Sequence, residues 1–295
     1  MKIPKVLIIK HGSIGDIFMS LNSVSAIKKI YSDITILSTK SGHRIFDESD
    51  FNFKKIIDNR SGFINTFKIL MKIINQDFEI IIDLQNSQRT SIYLFILKYF
   101  SNSITNGTSF FASKRYKKIN LDEHVKDGLK NQLSLIGIKV KDNDILHYER
   151  KIKKQVIIVP GSSKEGYQKR WDINNFISVM NYLSSMHISS YVIGGTDESE
   201  LSNLIPKNEY IHNLINKSPW KIVKSLAMES IVTISNDTSA MHFISSLNLP
   251  IIALMKNNSY SISNAPTSKN SSVIAKNNIK DISIEEVISE LSKFI

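Results

Sequence analysis

Four polar stretches of the sequence follow runs of apolar residues, and their side chains are of the types that bind anions or move protons. They occupy residues 10–16 (KHGSIGD), 160–172 (PGSSKEGYQKRWD), 194–200 (GGTDESE) and 235–242 (SNDTSAMH). In open parallel sheets, ligands collect outside the carboxyl ends of the strands. We therefore treat these four stretches as the candidate functional loops.

The first stretch places Asp16 at the expected start of a helix. Gly12 and Gly15 permit a tight turn and the close approach of a ligand. The helix dipole, with help from Lys10, stabilises Asp16 as an anion, which makes its carboxylate a candidate general base. The alternative is an N-terminal cap on an ordinary turn. The glycine spacing does not match the dinucleotide-binding fingerprint.

The second stretch combines hydroxyl and backbone donors with two fixed positive charges. Ser162 follows a glycine, and Lys169 and Arg170 are neighbours in the chain. Together they are able to hold a diphosphate, with the lysine as a point charge and the arginine as a bidentate fork. The alternative is a solvated basic loop. Trp171 argues against that alternative, because a tryptophan there would anchor the loop against the fold.

The third stretch begins with a glycine pair and continues with Thr196, Asp197 and Glu198. The glycines let the backbone approach a ligand, and acidic side chains accept hydrogen bonds from ribose hydroxyls in other nucleotide-binding folds. We interpret the three residues as candidate nucleoside contacts. A simple turn followed by a helix cap would account for the same residues.

The fourth stretch lies between a strand-like run and a helix-like run. Asp237, Thr238 or Ser239 would cap the helix that follows. The free N–H groups of the first helical turn form an anion site. His242 lies one helical turn after Thr238 and would face the same ligand, although a single histidine in such a place is often structural.

The composition excludes several kinds of catalytic and metal-binding site. The chain has 295 residues and no cysteine, which excludes disulfides, thiolate metal sites and cysteine nucleophiles. Its seven histidines are scattered without ligand spacing, so we expect no zinc site. The "DND" at 142–144 resembles an Asp-x-Asp metal signature, but it lies in an interdomain segment and we expect it to bind no metal.

The positive charge is unevenly distributed along the chain. The net charge is +11, of which residues 1–150 carry +8 (23 Lys/Arg against 15 Asp/Glu) and residues 151–295 carry +3 (15 against 12). A basic half attracts nucleic acid, an anionic membrane surface or a phosphorylated substrate. A lysine-rich composition that only keeps the protein in solution is the alternative. We expect no nucleic-acid partner, because basic and aromatic residues are not interleaved and no recognition helix is visible.

Short β-rich runs alternate with longer helical ones, and this pattern occurs twice. We predict strands at 5–10, 34–39, 54–59 and 78–85, and again at 155–160, 190–195, 231–235 and 250–255. Segment 101–154 is polar and basic, and we predict one helix in it, at 124–137, and no strand. The predicted domains are therefore 1–150 and 151–295, each a parallel α/β unit. The longest apolar run is too short to span a bilayer, so we expect no transmembrane helix. We also expect no signal peptide, because the N-terminal apolar run is short.

Four motifs in order resemble glycosyltransferase family 9, the ADP-heptose lipopolysaccharide heptosyltransferase family. "KVLIIKHGSIGD" is similar to its opening strand and Ser-x-Gly-Asp turn, and "DLQNSQR" to its Asp-Leu-Gln segment with a following arginine. "PGSSKEGYQKRWD" resembles its Pro-Gly loop with Lys-Arg-Trp, and "SNDTSAMHF" its Asn-Asp-Thr-Gly-x-Met-His motif. The motifs extend along the whole chain, and their combination is specific.

The resemblance implies an α/β protein of the glycosyltransferase B fold, with two Rossmann-like domains whose parallel sheets face each other across a cleft. The N-terminal domain would bind the acceptor and the C-terminal domain the nucleotide-sugar. The implied reaction is an inverting, metal-independent transfer in which Asp16 deprotonates the acceptor hydroxyl. Lys169, with the helix start at 237–239, would stabilise the leaving diphosphate. The remaining implied contacts are Ser162, Arg170 and His242 to the donor, and Lys10, Ser13 and Arg89 to the acceptor or in support.

The implied substrates are a nucleotide-sugar, ADP-heptose by family, and a lipopolysaccharide inner-core or related phosphorylated glycolipid at a membrane surface. No cofactor is expected, because the nucleotide-sugar is itself a substrate. The expected location is the cytoplasm, at the inner face of the inner membrane. Two alternative functions are left open. The first is another enzyme of this fold with a different donor, including an epimerase, and the second is a non-catalytic nucleotide-sugar sensor.

Two departures from the family pattern fall in the donor half. Ser239 stands where the family has glycine, which removes the freest backbone approach and supplies a hydroxyl. After the next strand the family often has Phe-Gly-Pro-Thr, where this chain has "LMKNNSYSISNAPT". We expect the reaction class to be the same despite these departures, which bear on the identity of the sugar and of the acceptor.

Overall fold

The chain forms two compact units, Met1–Ile145 and Leu146–Ile295. The computed structural model describes residues 3–49, 51–118, 120, 122–141, 150–162 and 164–295. Asp142 and Asp144, which we expected to bind no metal, lie outside the described residues, as does part of the segment around the predicted domain boundary.

Unit 1 is built on a six-stranded sheet in the order β3-β2-β1-β4-β5-β6. Every described strand pair in it is parallel. The strands are β1 Lys5–Ile9, β2 Asp33–Ser38, β3 Lys54–Ile57, β4 Ile80–Asp83, β5 Ile104–Gly107 and β6 Lys114–Arg115. The helices are α1 Ile14–Ile30, α2 Lys40–Glu48, α3 Gly62–Asn75, α4 Gln88–Phe100 and α5 Val125–Ser134.

The sheet of unit 1 is covered on both faces because its central strands are apolar throughout. In β1 the residues after Lys5 are fully buried, as expected of a parallel strand between two helical layers. Leu7 and Ile9 pack with Ile69, Leu70 and Ile73 of α3 and with the buried side of α4. Helix α1 contacts α2 and α5.

Unit 2 repeats this architecture with the strand order β12-β11-β10-β7-β8-β9, again with parallel pairing in every described ladder. Its strands are β7 Gln155–Val159, β8 Ser189–Gly194, β9 Ile211–Ile215, β10 Thr233–Asn236, β11 Ile251–Lys256 and β12 Ser272–Lys276. Its helices are α6 Ile173–Ser185, α7 Ser199–Ser202, α8 Trp220–Glu229, α9 Ser239–Ser246, α10 Ser259–Ser263 and α11 Ile284–Leu291. No helix among the described residues is long and apolar enough to cross a membrane.

The predicted class, two Rossmann-like units of parallel α/β structure, is confirmed. The prediction of no strand in the polar segment after residue 100 is wrong, because β5 and β6 lie there. The sequence pattern missed these strands because they contain polar residues. One of them, Asn106 in β5, is buried and donates from its side-chain amide to the carbonyl oxygens of Lys114 and Gln132. Strands β9 and β12 were also missed, and both are edge strands with few fully buried residues.

Candidate functional site

Asp16 lies in the first turn of α1, at the carboxyl end of β1. Ser13 is the N-cap: its hydroxyl accepts the Asp16 N–H at 3.3 Å, and Asp16 Oδ2 accepts the Ser13 N–H at 3.0 Å. This is a capping box, so the structural role considered for Asp16 is present. Asp16 Oδ1 accepts no hydrogen bond from the described residues, and the side chain is half-buried. The carboxylate is therefore both a cap and an available proton acceptor.

Gly12 is required by the turn that presents Asp16. Its φ is +28°, and a Cβ atom there would lie 2.7 Å from the Cβ of Asp16. The turn is fixed from β4 by Gln85, whose side-chain oxygen accepts the N–H groups of His11 at 3.0 Å and Gly12 at 2.6 Å. Sequence reasoning assigned no role to Gln85, although it follows β4 as the candidate loops follow their strands.

Lys10 is buried at the base of the same turn. Its ammonium donates to the carbonyl oxygen of Leu84 at 3.1 Å. Burial lowers the pKa of Lys10, and the negative charges of Asp16 and Asp83 oppose this shift. Asp83 is fully buried, and burial raises its pKa against the hydrogen bonds it accepts from Thr90 and the backbone. The lysine therefore adds positive potential close to Asp16 and does not reach solvent.

Arg89 is held in a buried cluster around Asp58, at the end of β3. Asp58 accepts hydrogen bonds from the Tyr93 hydroxyl at 2.7 Å, the Arg60 N–H at 2.8 Å and the Arg89 guanidinium at 3.3 Å. His11 Nε2 lies 3.0 Å from Asp58 Oδ2, the oxygen that also accepts the Tyr93 hydroxyl. Burial opposes the charge, but these partners hold the pKa of Asp58 well below its usual range. Sequence reasoning selected Arg89 alone and missed the acid that orients it.

We expect Asp58→Asn to lower the free energy of unfolding by about 3 kcal/mol, because it breaks a buried charged cluster. The folded-state pKa of Asp58 is depressed, so its stabilisation is complete above the unfolded pKa of about 4 and is lost as pH falls below it. Urea unfolding of both proteins from pH 8 to pH 3 checks this. The difference between them should be constant above about pH 5 and shrink below about pH 4.

Asp33→Asn is the matched control, because Asp33 pairs with Lys54 at 2.8 Å on the surface of the same unit. An exposed pair is worth about 0.2–1 kcal/mol at most. If the two substitutions cost the same, Asp58 does not organise this part of the unit.

The donor residues predicted in unit 2 partly come together at the end of β10. Lys169 Nζ lies 2.6 Å from Asp237 Oδ2, and His242 Nε2 lies 3.6 Å from Asp237 Oδ1. Burial raises the pKa of Asp237, but its contacts with His242 and Lys169 outweigh burial and hold the pKa below its ordinary value. An ionised carboxylate thus holds two cationic or protonatable groups at the carboxyl edge of the sheet.

Helix α9 begins immediately after this acid. Thr238 is the N-cap and its hydroxyl accepts the Met241 N–H at 3.3 Å, so of the three residues that we considered it is Thr238 that caps. Ser239 is the first helical residue and is half-buried. Asn236, which sequence reasoning missed, accepts the N–H of Trp171 at 3.1 Å and donates to the Pro160 carbonyl at 2.8 Å. It ties the second candidate loop to the fourth.

Arg170 is engaged with its own loop and with the third candidate loop. Its guanidinium donates to the Ser162 hydroxyl at 3.2 Å and carbonyl at 2.6 Å, to the Asp197 carbonyl at 3.3 Å and to Glu200 at 2.8 Å. Ser162 in turn donates to the Gly166 carbonyl at 2.7 Å. The two residues contact each other and order the loop, whereas Lys169 points to Asp237. Trp171 is buried and anchors this loop, as expected.

The third candidate loop folds against the second one. Thr196–Glu198 forms a short 3-10 helix, and Glu198 accepts the Gly195 N–H at 2.7 Å. A Cβ on Gly161 would lie 1.9 Å from the Glu198 side chain, so a larger residue at that position would displace Glu198. Burial raises the pKa of Glu198. The structure therefore brings Glu198 close to the Pro-Gly loop, while Thr196 is exposed and Asp197 half-buried.

Tyr260 lies in the segment that departs from the family pattern. The ring of Tyr260 is 4.8 Å from Lys169 Nζ, within cation–π range, and its side chain is exposed. The segment after β11 therefore reaches the lysine that we expected to bind the diphosphate. Among the described residues, no group of three or more His, Cys, Asp or Glu side chains is arranged to hold a metal ion.

Solved structures of similar fold cover almost the entire chain. The crystal structure of the glycosyl transferase family 9 protein from Veillonella parvula DSM 2008 has 18% identity and a TM-score of 0.78, covering 100% of this chain and 98% of that one. E. coli ADP-heptose lps heptosyltransferase II has 16% identity, a TM-score of 0.73 and 98% coverage of both. E. coli heptosyltransferase WaaC with ADP has 14% identity and a TM-score of 0.78, covering 99% and 100%. At these identities the likeness shows the fold.

No curated protein matches the sequence. The family model described as glycosyltransferase family 9 (heptosyltransferase) matches residues 66–291, which is more than half of the chain. The resemblance drawn from the four motifs is confirmed, and this chain belongs to glycosyltransferase family 9, a family of glycosyltransferase enzymes.

Proposed function

We propose that this protein is an inverting glycosyltransferase that moves heptose from ADP-heptose to a lipopolysaccharide inner-core or related phosphorylated glycolipid. The observation that carries the proposal is Asp16, a carboxylate held in the first turn of α1 with one oxygen available, in a chain of this family. The proposed location is the cytoplasmic side of the inner membrane, where such an acceptor is exposed.

In the proposed reaction Asp16 Oδ1 takes the proton of the acceptor hydroxyl. The acceptor oxygen then forms a bond to the anomeric carbon as the bond from that carbon to the diphosphate oxygen breaks. Inversion follows from attack on the face opposite the leaving group. Lys10 is buried beneath the turn, where its ammonium donates to the Leu84 carbonyl and lies in the same turn as Asp16. The nucleotide part of the donor leaves as ADP, and the proton passes from Asp16 to solvent.

The leaving diphosphate gains negative charge as the bond breaks. Lys169 supplies a fixed positive charge, and the first N–H groups of α9 at Ser239 and after it supply oriented donors. We propose that the diphosphate displaces Asp237 from Lys169 and that His242 then contacts the same acid or the phosphate. Because the Lys169 charge and the N–H donors of α9 would oppose the negative charge of the diphosphate, the proposed transfer needs no metal ion or cofactor.

The ADP part of the proposal is tested by thermal shift with ADP, UDP, GDP and CMP sugars. Ligands that bind the native state raise the unfolding temperature, and at 100 times Kd the stabilisation is about 2.7 kcal/mol. We expect a shift with ADP-heptose and with ADP, and none with the other nucleotides. E. coli heptosyltransferase WaaC, which shares the fold, was solved with ADP.

Lys169→Met is the variant to run beside the wild type in this screen. It should reduce the shift given by ADP, because the shift depends on the diphosphate site. A shift with UDP-sugars and none with ADP-sugars would overturn the assignment of ADP-heptose as the donor. It would not contradict the proposed glycosyl transfer. A shift with ADP-heptose and no transfer or donor hydrolysis would instead favour the non-catalytic sensor.

A further inference from the structure

The outer surface of unit 1 over α3 and α4 carries large apolar side chains that face solvent. Phe63 at the start of α3 is 85% exposed, and Phe110 in the loop after β5 is 72% exposed. We call this surface the α3–α4 face. Its exposed apolar residues are Phe63, Ile64, Phe67, Met71, Ile92, Phe95, Tyr99, Phe100 and Phe110.

These side chains are not the core of unit 1. The opposite sides of the two helices already pack on the sheet, with Ile69, Leu70 and Ile73 of α3 and Leu94 and Leu97 of α4 buried there. Helices α3 and α4 also contact each other. Both therefore have a second apolar side that folding of the unit leaves in water, and a contiguous exposed apolar surface of this kind marks an interaction site.

Aromatic contacts connect α4 to the loop after β5. The ring of Phe95 lies 5.4 Å from that of Tyr99 and 4.8 Å from that of Phe111, and Phe111 is 5.7 Å from Phe110. The Arg115 guanidinium lies 5.4 Å from the Phe110 ring. Aromatic rings combined with basic groups suit the boundary between lipid headgroups and acyl chains.

The charge around this surface has one sign. Residues 59–76 and 84–121, which include α3, α4 and the loop after β5, contain nine Lys/Arg and no Asp or Glu. Unit 1 owes its positive balance to them, since residues 1–150 carry a net +8 in all. The nine are Arg60, Lys68, Lys72, Arg89, Lys98, Lys114, Arg115, Lys117 and Lys118.

We propose that the α3–α4 face docks this enzyme on an anionic phospholipid bilayer. The apolar side chains enter the headgroup boundary, and the exposed lysines and arginines around them pair with lipid phosphates. Arg89 is not one of these, because Asp58 holds it. Basic residues close to an anionic surface strengthen binding to it, and apolar burial adds to this. The absence of acidic residues from both segments favours a lipid surface over a second copy of the chain, which would bring basic segments against basic segments.

Binding to vesicles in the absence of donor and acceptor tests the proposal independently of sugar transfer. We expect the wild type to sediment with vesicles of phosphatidylcholine and phosphatidylglycerol, to bind pure phosphatidylcholine weakly, and to lose binding as salt is raised. Phe63→Ser with Phe67→Ser should weaken binding about tenfold or more. Lys68→Gln with Lys72→Gln should weaken it on the anionic vesicles only.

Leu204→Ser and Lys207→Gln are the matched controls, because they remove an exposed apolar side chain and an exposed charge from unit 2. They should bind vesicles like the wild type. All variants should keep the wild-type unfolding temperature, which separates lost docking from lost folding.

Equal vesicle binding by the wild type and the α3–α4 variants would overturn the proposal. So would a wild-type dimer, seen by light scattering, that the Phe63 and Phe67 substitutions convert to monomer, because the occupant would then be a second copy. Sugar transfer to an acceptor in detergent, measured alongside, shows whether a failure concerns docking or the proposed activity.

Discussion

Replacing Asp16 by asparagine is expected to lower the rate constant of sugar transfer by about 10²–10⁴-fold, the usual contribution of a positioned general base. Asparagine keeps an oxygen that accepts the Ser13 N–H, so the cap of α1 is retained in the variant. It cannot take the acceptor proton at Oδ1. The measurement is single-turnover release of ADP with acceptor present, together with the ADP-induced thermal shift, which should equal that of the wild type.

Ser13→Ala separates the cap from the base. The Ser13 hydroxyl accepts the Asp16 N–H, and loss of an N-cap costs about 1 kcal/mol. This variant should unfold at a lower temperature and keep most of its turnover. Asp16→Asn should instead keep its unfolding temperature and lose most of its turnover. If Asp16→Asn retains wild-type turnover, Asp16 only caps the helix and the proposed mechanism fails.

The sequence predicted the central strands and the loops that follow them because both signals are local. An apolar run such as "KVLII" is read as a buried strand without knowledge of its neighbours, and β1 lies at Lys5–Ile9 as expected. The capping residues are equally local, since a cap acts within one turn of its own helix. Lys169, Asp237 and His242 were selected separately from two loops, and the structure brings them into contact.

What sequence reasoning missed depends on contacts between distant segments. Gln85 fixes the turn before α1, and Asp58 orients Arg89 and His11, but the residues that they contact are distant from them in the chain. Asn236 was visible inside the fourth loop, but its role in holding Trp171 and Pro160 depends on the pairing of β10 with β7. Long-range hydrogen bonds are set by strand order, which the local pattern does not specify.

The same limit applies to the two cations of the second loop. Lys169 and Arg170 are adjacent and equally suited by type to bind phosphate. The structure separates them, because the Arg170 side chain is nearly buried against Ser162 and Glu200 whereas Lys169 is directed to Asp237 and Tyr260. Of the two, Lys169 is the one that we expect to stabilise the leaving group, and Arg170 keeps the loop in shape.

Lys169→Met is accordingly expected to lower the rate constant of transfer by about 10²–10³-fold, the loss typical when a preorganised group that stabilises transition-state charge is removed. Lys169 meets negative charge that grows as the diphosphate leaves, so the rate constant should fall more than the affinity for the donor. Single-turnover ADP release at saturating donor measures the rate constant. The dependence of the unfolding temperature on ADP concentration measures the affinity.

The difficulty with this variant is that it also leaves Asp237 without its lysine. Asp237 is buried, and an acid that loses its partner destabilises the folded state. The double variant Lys169→Met with Asp237→Asn removes both charges and should recover much of the lost unfolding temperature. Its rate constant should stay low, because the positive charge is still missing. If the double variant instead regains turnover along with stability, Lys169 acts only as a partner for Asp237, and the leaving diphosphate is stabilised by the start of α9 alone.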